Sequence, residues 1–190
     1  IKVASIPAAR MQVYFIDNEE YFSRKLYNTD EKGRLFKDAD ERSIFFVKGV
    51  LETVKKLGWA PDIIHVHGWM ASLLPLYIKE FYKEEPLFAE SKIVTSVYNH
   101  GFEGELGPGT NKKIEFDEIS SDKIEVLKEA NYTNLMKSAI RNSDAIIKGA
   151  ESLNPELEEE INSSDKPVLE YKPVEEFTEA YLEFYQNQIS

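Results

Sequence analysis

The stretch Pro61-Asp62-Ile63-Ile64-His65-Val66-His67-Gly68-Trp69-Met70-Ala71-Ser72-Leu73-Leu74-Pro75 carries the strongest structural signal in the chain. Ile63, Ile64 and Val66 form a β-branched run bounded by Pro61-Asp62 and Gly68, which reads as a short buried strand over 63–67. Met70, Leu73, Leu74, Tyr77, Ile78 and Phe81 recur at the spacing of one helical face, so a helix is expected from about residue 70 to about 83. This order of strand, tight turn and helix puts His67, Gly68 and Trp69 at the carboxyl end of a strand, where open α/β sheets bind ligands.

Upstream, Ile44, Phe45, Val47, Val50, Leu51, Val54 and Leu57 mark a helix from Asp40 to Leu57, with acids in its first turn, Lys55 and Lys56 in its last, and Gly58 as its stop. Residues 1–6 and 11–17 read as a hairpin, and 18–38 as a long loop with at most a helical turn at Tyr21-Phe22. Downstream, strands are expected at 92–98, 144–148 and 167–171. Helices are expected from Asp122 or Asn131 to Ile140 and from Asn154-Pro155 to about Ile161. Val174, Phe177, Tyr181, Phe184, Tyr185 and Gln188 form a closing amphipathic helix, expected to dock back on the sheet. Helix alternating with strand implies a mostly parallel sheet with right-handed crossovers, a Rossmann-like three-layer α/β fold.

Composition narrows the function. The 190 residues carry a formal charge of -11, which repels phosphate backbones and argues against nucleic acid as a partner. With no cysteine, disulfides, thiolate zinc sites and cysteine nucleophiles are excluded. No apolar run matches a membrane span and no signal-peptide pattern opens the chain, so a cytoplasmic protein without membrane contact is expected.

His65 and His67 lie two apart on a strand and point the same way, the spacing of a metal-chelating pair, but no carboxylate or third histidine shares the turn. The competing reading, no metal with His65 a hydrogen-bonded core histidine and His67 a donor to a ligand hydroxyl or phosphate, fits the pattern better. Gly104, Gly107 and Gly109 follow no strand and open no expected helix, so they read as a flexible loop rather than a phosphate cradle. Trp59 and Trp69 read as core, and Asp38, Asp40 and Glu41 as helix-capping and dipole residues. No G-x-G-x-x-G, P-loop, G-x-S-x-G or H-E-x-x-H motif occurs.

Four stretches in fixed order resemble the N-terminal domain of bacterial glycogen synthases and plant starch synthases, retaining glucosyltransferases of the two-domain GT-B fold. They are Val13-Tyr14-Phe15-Ile16-Asp17-Asn18 with Tyr21-Phe22; Asp38-Ala39-Asp40-Glu41-Arg42; Trp59-Ala60-Pro61-Asp62-Ile63-Ile64-His65-Val66-His67-Gly68-Trp69 through Leu73-Leu74-Pro75; and Ser96-Val97-Tyr98-Asn99-His100-Gly101-Phe102-Glu103-Gly104. Ser143-Asp144-Ala145 and Glu158-Glu159-Glu160-Ile161 extend the likeness, which covers roughly residues 11–161 and is closest to the short synthase-like proteins of Bacteroidetes.

The resemblance implies that residues 1–170 form this α/β domain without its first strand-turn-helix, with the helix of 171–190 packing on it. It implies transfer of glucose from ADP-glucose or UDP-glucose, as substrates and with no cofactor, to an α-1,4-glucan. His67 would hydrogen-bond the transferred glucose and Asp38 would stand on the acceptor side; Trp69, Asn99, Tyr98, Gly68 and Arg42 would line the substrate site. The chain departs from the family where Gly68 replaces an aspartate, Ala39 an asparagine and Tyr98 a histidine. The K-x-G-G-L loop and the donor-binding C-terminal domain are not found in these residues. Two readings follow: an acceptor-side half-transferase, alone or with a separate donor-binding subunit, or a catalytically inactive descendant that binds glucan or protein.

Overall fold

The computed structural model describes residues 1–23 and 29–188, the last of these by its backbone. The expected loop over 18–38 thus falls partly outside the described residues. β1 (Lys2–Ile6) and β2 (Met11–Phe15) pair antiparallel as the expected hairpin, in a two-stranded sheet of their own. Asn18 caps the single turn α1 (Glu19–Phe22) by accepting from the N–H groups of Glu20 and Tyr21. α2 (Ala39–Leu57) ends as its sequence requires: Gly58 adopts φ 62° and returns its N–H to the last turn.

The second sheet holds β3 (Ile63–His67), β4 (Lys92–Val97), β5 (Ala145–Lys148) and β6 (Val168–Leu169) in that order, all parallel. Its register sets His65 opposite Val94, Val94 opposite Ala145 and Ile147 opposite Leu169, so side chains alternate between two faces. On one face Ile64, Val66, Ile93, Val97 and Ile146 pack against the helical segment 69–81, α5 (Tyr132–Asn142) and α6 (Pro155–Asn162). On the other, Val94, Ala145 and Ile147 meet Phe184, with Ile63, Leu169, Tyr181 and Tyr185 around them. These last aromatics belong to α7 (Phe177–Gln188), which therefore docks on the sheet and completes three layers. No helix among the described residues is long and apolar enough to cross a membrane.

Several expectations change. β3 is an edge strand among the described residues, so only Val66 is buried, and the strand is half-covered rather than a core element. The continuous helix expected after it is three pieces: a 3-10 turn at Trp69–Ala71, a single α turn α3 (Leu74–Leu76), and a π-helical stretch at Tyr77–Phe81. Pro75 has no N–H for a helix already under way, and the Tyr82 N–H reaches back five residues to Tyr77. The glycine-containing loop does open a helix, because Gly109 at φ 80° turns the chain into α4 (Thr110–Glu115), anchored by the buried Ile114. That helix carries a single apolar anchor, too few to show a period.

The helix expected from Asp122 or Asn131 starts at Tyr132, behind an Asn131 cap, with a 3-10 turn at Glu125–Lys128 before it. β6 keeps two residues of the expected five. Trp69 is core, but Trp59 is 58% exposed. Asp38 stands at the N-cap of α2 without a side-chain capping bond; Asp40 instead accepts from the Glu41 N–H and, fully buried, pairs with Lys113 of α4 at 2.7 Å.

Phe184 tests the third layer, since its ring is 5% exposed on the β4–β5 surface. Phe184→Ala is expected to cost about 3 kcal/mol, the low end for a buried phenylalanine because α7 is exposed on its outer side. Urea unfolding measures it, and a change inside about 0.5 kcal/mol would show that α7 contributes nothing to the core.

Candidate functional site

β3, β4 and β5 are parallel and in step, so the segments leaving them, 68–72, 98–109 and 149–154, emerge on one edge of the sheet. His67 ends β3 opposite Ser96, and Tyr98 follows one residue beyond β4. The convergence follows from strand direction alone, and it is the edge at which α/β sheets take ligands.

His65 and His67 share a face, with ring centroids 3.9 Å apart. Both nitrogens of His65 are occupied: Nε2 lies 2.7 Å from the Ser96 hydroxyl and Nδ1 2.6 Å from the Tyr185 hydroxyl of α7. Burial, followed by the neighbouring His67 charge, pushes its pKa down to about 3, so it is neutral at physiological pH. It is the satisfied histidine of the second sequence reading. A chelate across the pair would need one nitrogen from each ring, and His65 has none to give. His67 is exposed at its edge, but the crowding around its ring also holds its pKa below the ordinary imidazole value. Its Nδ1 lies 2.9 Å from the Tyr98 hydroxyl.

Gly68 links strand to turn at φ 74° and ψ 163°, a region essentially reserved for glycine. A Cβ there would meet nothing within 4 Å, so the backbone rather than crowding demands glycine. Trp69 is buried, edge-on to Phe102 at 5.1 Å. Asn99 ties two strand exits together: its Nδ2 donates to the Ser152 carbonyl at 2.5 Å and its Oδ1 accepts from the Asn154 N–H at 3.1 Å.

Beside these residues lies a cavity of about 740 Å³ lined by Trp69, Asn99, Phe102, Glu103, Asn131 and Asn154, among others. The carboxamide oxygens of Asn131 and Asn154 cap α5 and α6, accepting from the Asn134 and Glu156 N–H groups. Their amide N–H2 groups have no partner among the described residues and remain available as donors. With the Glu103 carboxylate and the Thr133 hydroxyl, the cavity offers donors and acceptors beside aromatic rings. A second cavity, about 730 Å³, lies between α2 and α4 against Ile44, Phe45 and Phe116, away from the strand exits.

The structure thus gathers Trp69 and Asn99 at the polar cavity, and His67 and Tyr98 in contact beside them, with Gly68 joining the two groups. Asp38 and Arg42, at the start of α2, are not among the residues lining that cavity. Arg42 is 1% exposed, its guanidinium over the rings of Phe22 and Phe36 at 5.2 and 5.4 Å. Sequence reasoning missed Asn131, Asn154, Glu103 and Thr133, because both asparagines look like ordinary helix caps, which they also are. The position of 149–154 just after a parallel strand was the signal that could have found Asn154.

The family described as "Starch synthase catalytic domain" matches residues 1–165. The chain belongs to this family. A glycogen synthase of Chlorobium limicola is 43% identical over 122 residues, which make up 64% of this chain and 25% of that protein. One of Chlorobium phaeovibrioides is 36% identical over 163 residues, 85% of this chain and 32% of its own length. One of Elusimicrobium minutum is 35% identical over 157 residues, or 81% and 31%. The chain spans about a third or less of the length of these curated relatives. Family membership agrees with the Rossmann-like fold and with the ordered motifs that carried the resemblance.

Two measurements test the site as a structure. Gly68→Ala is expected to destabilise by about 1–3 kcal/mol through backbone strain alone, read by urea unfolding; an unchanged midpoint would show that the turn relaxes freely. The depressed pKa of His65 contributes stability that is fully present above the free-imidazole value of 6.5 and is lost as pH falls from there towards about 3. Between about pH 7 and about pH 5 the loss is expected to be about 1–2 kcal/mol, discounted for residual water contact at the ring. His65→Gln should flatten that slope, and an equally steep loss in the variant would place its origin elsewhere.

Proposed function

We propose that the chain is the acceptor-side half of a glucosyltransferase of the glycogen/starch synthase type, acting in the cytoplasm. In this reading an α-1,4-glucan lies in the polar cavity at the strand exits, and the glucose to be transferred comes from ADP-glucose or UDP-glucose. The observation that carries it is the pair of unpartnered amide donors, Asn131 and Asn154, beside Trp69 and Phe102 in that cavity. Neutral hydroxyl-rich sugars need many hydrogen bonds beside apolar rings, and the lining, with Glu103 as its one carboxylate among the described residues, supplies these.

His67 stands where it can hydrogen-bond a sugar hydroxyl, and Asp38 is assigned the acceptor side. A donor diphosphate needs cations and N–H groups to hold its developing charge. Lys148, at the end of β5, is paired with Glu158 and Glu170 at 2.9 and 3.1 Å. Donor binding is therefore assigned to a part outside these residues, on the same chain or a partner subunit. A second reading, a non-catalytic glucan binder, draws support from Gly68, which places no side chain in the site, and from Tyr98, which occupies one nitrogen of His67.

Calorimetric titration with maltoheptaose, ADP-glucose and UDP-glucose separates these. Maltoheptaose is expected to bind, and Asn154→Asp, which keeps the helix cap but loses the N–H2 donor, should weaken it about fivefold, the worth of one hydrogen bond. Nucleotide-sugar binding lost in His67→Ala would support the transferase over the simple glucan binder. Absence of maltoheptaose binding would overturn both.

A further inference from the structure

We propose that Tyr98 is a positioning residue for His67: its hydroxyl donates to Nδ1 and holds the imidazole as the Nε2–H tautomer, so His67 offers its ligand a hydrogen-bond donor. The group taken at Nε2 is then an oxygen acceptor, assigned to a sugar hydroxyl on the strength of the glucan reading above, and not a metal cation.

The proposed direction of the bond rests on a count of protons. The Tyr98 hydroxyl has His67 Nδ1 as its hydrogen-bond partner among the described residues, at 2.9 Å. A phenol O–H needs an acceptor, and a neutral imidazole has one unprotonated nitrogen to offer. Crowding favours the neutral ring, so if Nδ1 accepts, Nε2 carries the proton. Nε2, on the far side of the ring from Nδ1, has no partner among the described residues.

Tyr98 is itself held in place, as a positioning group must be. Its ring lies on the backbone of Gly149: a Cβ there would collide with Cε1 and Cδ1, so any larger residue would displace it. Its carbonyl accepts from the Tyr132 hydroxyl, and His100 stacks near it at 6.5 Å. On its other side His67 meets the pinned ring of His65. Gly149 and Tyr132 come from two further segments, β5's exit and α5, which makes the arrangement a product of the whole sheet edge.

Long-range proton–nitrogen NMR spectra of the labelled chain read the tautomer directly and without ligand. Expected in the wild type is an unprotonated Nδ1 and a protonated Nε2 for His67. Tyr98→Phe, nearly isosteric, should shift the ring to a mixture of tautomers and weaken maltoheptaose about fivefold. Gly149→Ala should scramble the tautomer in the same way with the hydroxyl still present. A wild-type ring protonated at Nδ1, or a His67 spectrum unchanged in Tyr98→Phe, would overturn the proposal. The expected spectra with no maltoheptaose response would leave Tyr98 as the positioning residue and remove the glucan assignment instead.

Discussion

The parallel register of β3 on β4 is the constraint from which the site follows. With His67 opposite Ser96, the side chain one step beyond β4 on the same face is that of Tyr98, and it reaches back to His67. A slip of one residue would turn His65 and His67 to the other face, into the cluster around Leu73 and Ile93, and would move Ile64 and Val66 out of that cluster to the face that carries α7. The apolar pattern of the strands therefore enforces the geometry of the polar site. Packing energy selects the register, and the histidines come with it.

Much of this was legible in the residues. α2, the hairpin, the four parallel strands and the Asn154-Pro155 helix start follow from period, cap and breaker signals that are local in sequence. The strand-turn-helix at 63–75 correctly placed His67 at a strand exit and His65 as a histidine with both nitrogens satisfied. The rest depends on partners distant in sequence. Tyr185 meets His65 from 120 residues away, and Lys113 meets Asp40 across the gap between α4 and α2, so neither shows in any window. The same holds for Trp59, 58% exposed, which lines a cleft with Tyr14 and Ile16 of the N-terminal segment and Val50 and Val54 of α2. The edge position of β3 likewise left a strongly apolar run half-covered, because burial belongs to the sheet order and not to the strand.

The candidate site was legible only as far as strand ends could locate it. Asn99 and Trp69 were found because they sit at or just past β4 and β3; Asn131 and Asn154 were not, because a side chain that caps a helix already has a sufficient reason to be there. An asparagine is bifunctional, however, and satisfying its oxygen leaves its amide hydrogens to be accounted for. Two caps that line one polar cavity therefore bring donors to it without costing the helices anything. Aspartate would cap as well and would put negative charge there instead, so the choice of amide over acid is itself informative in a chain of net charge -11.

α7 bears on the site through one ring. Its apolar side, centred on Phe184, supplies the burial that holds it down, while Tyr185 gives up water to bond His65. A half-buried hydroxyl and a half-buried imidazole would each be costly alone; together, with Ser96 on the second nitrogen, each satisfies the other. The rigid His65 ring then stands 3.9 Å from His67 and limits where that ring can turn, while Tyr98 limits it from the other side. The exposed histidine is thus oriented by groups that need not touch a ligand. This explains how an edge strand, half open to solvent, can hold a side chain in one pose: the order comes from neighbours anchored in the core, not from burial of the side chain itself.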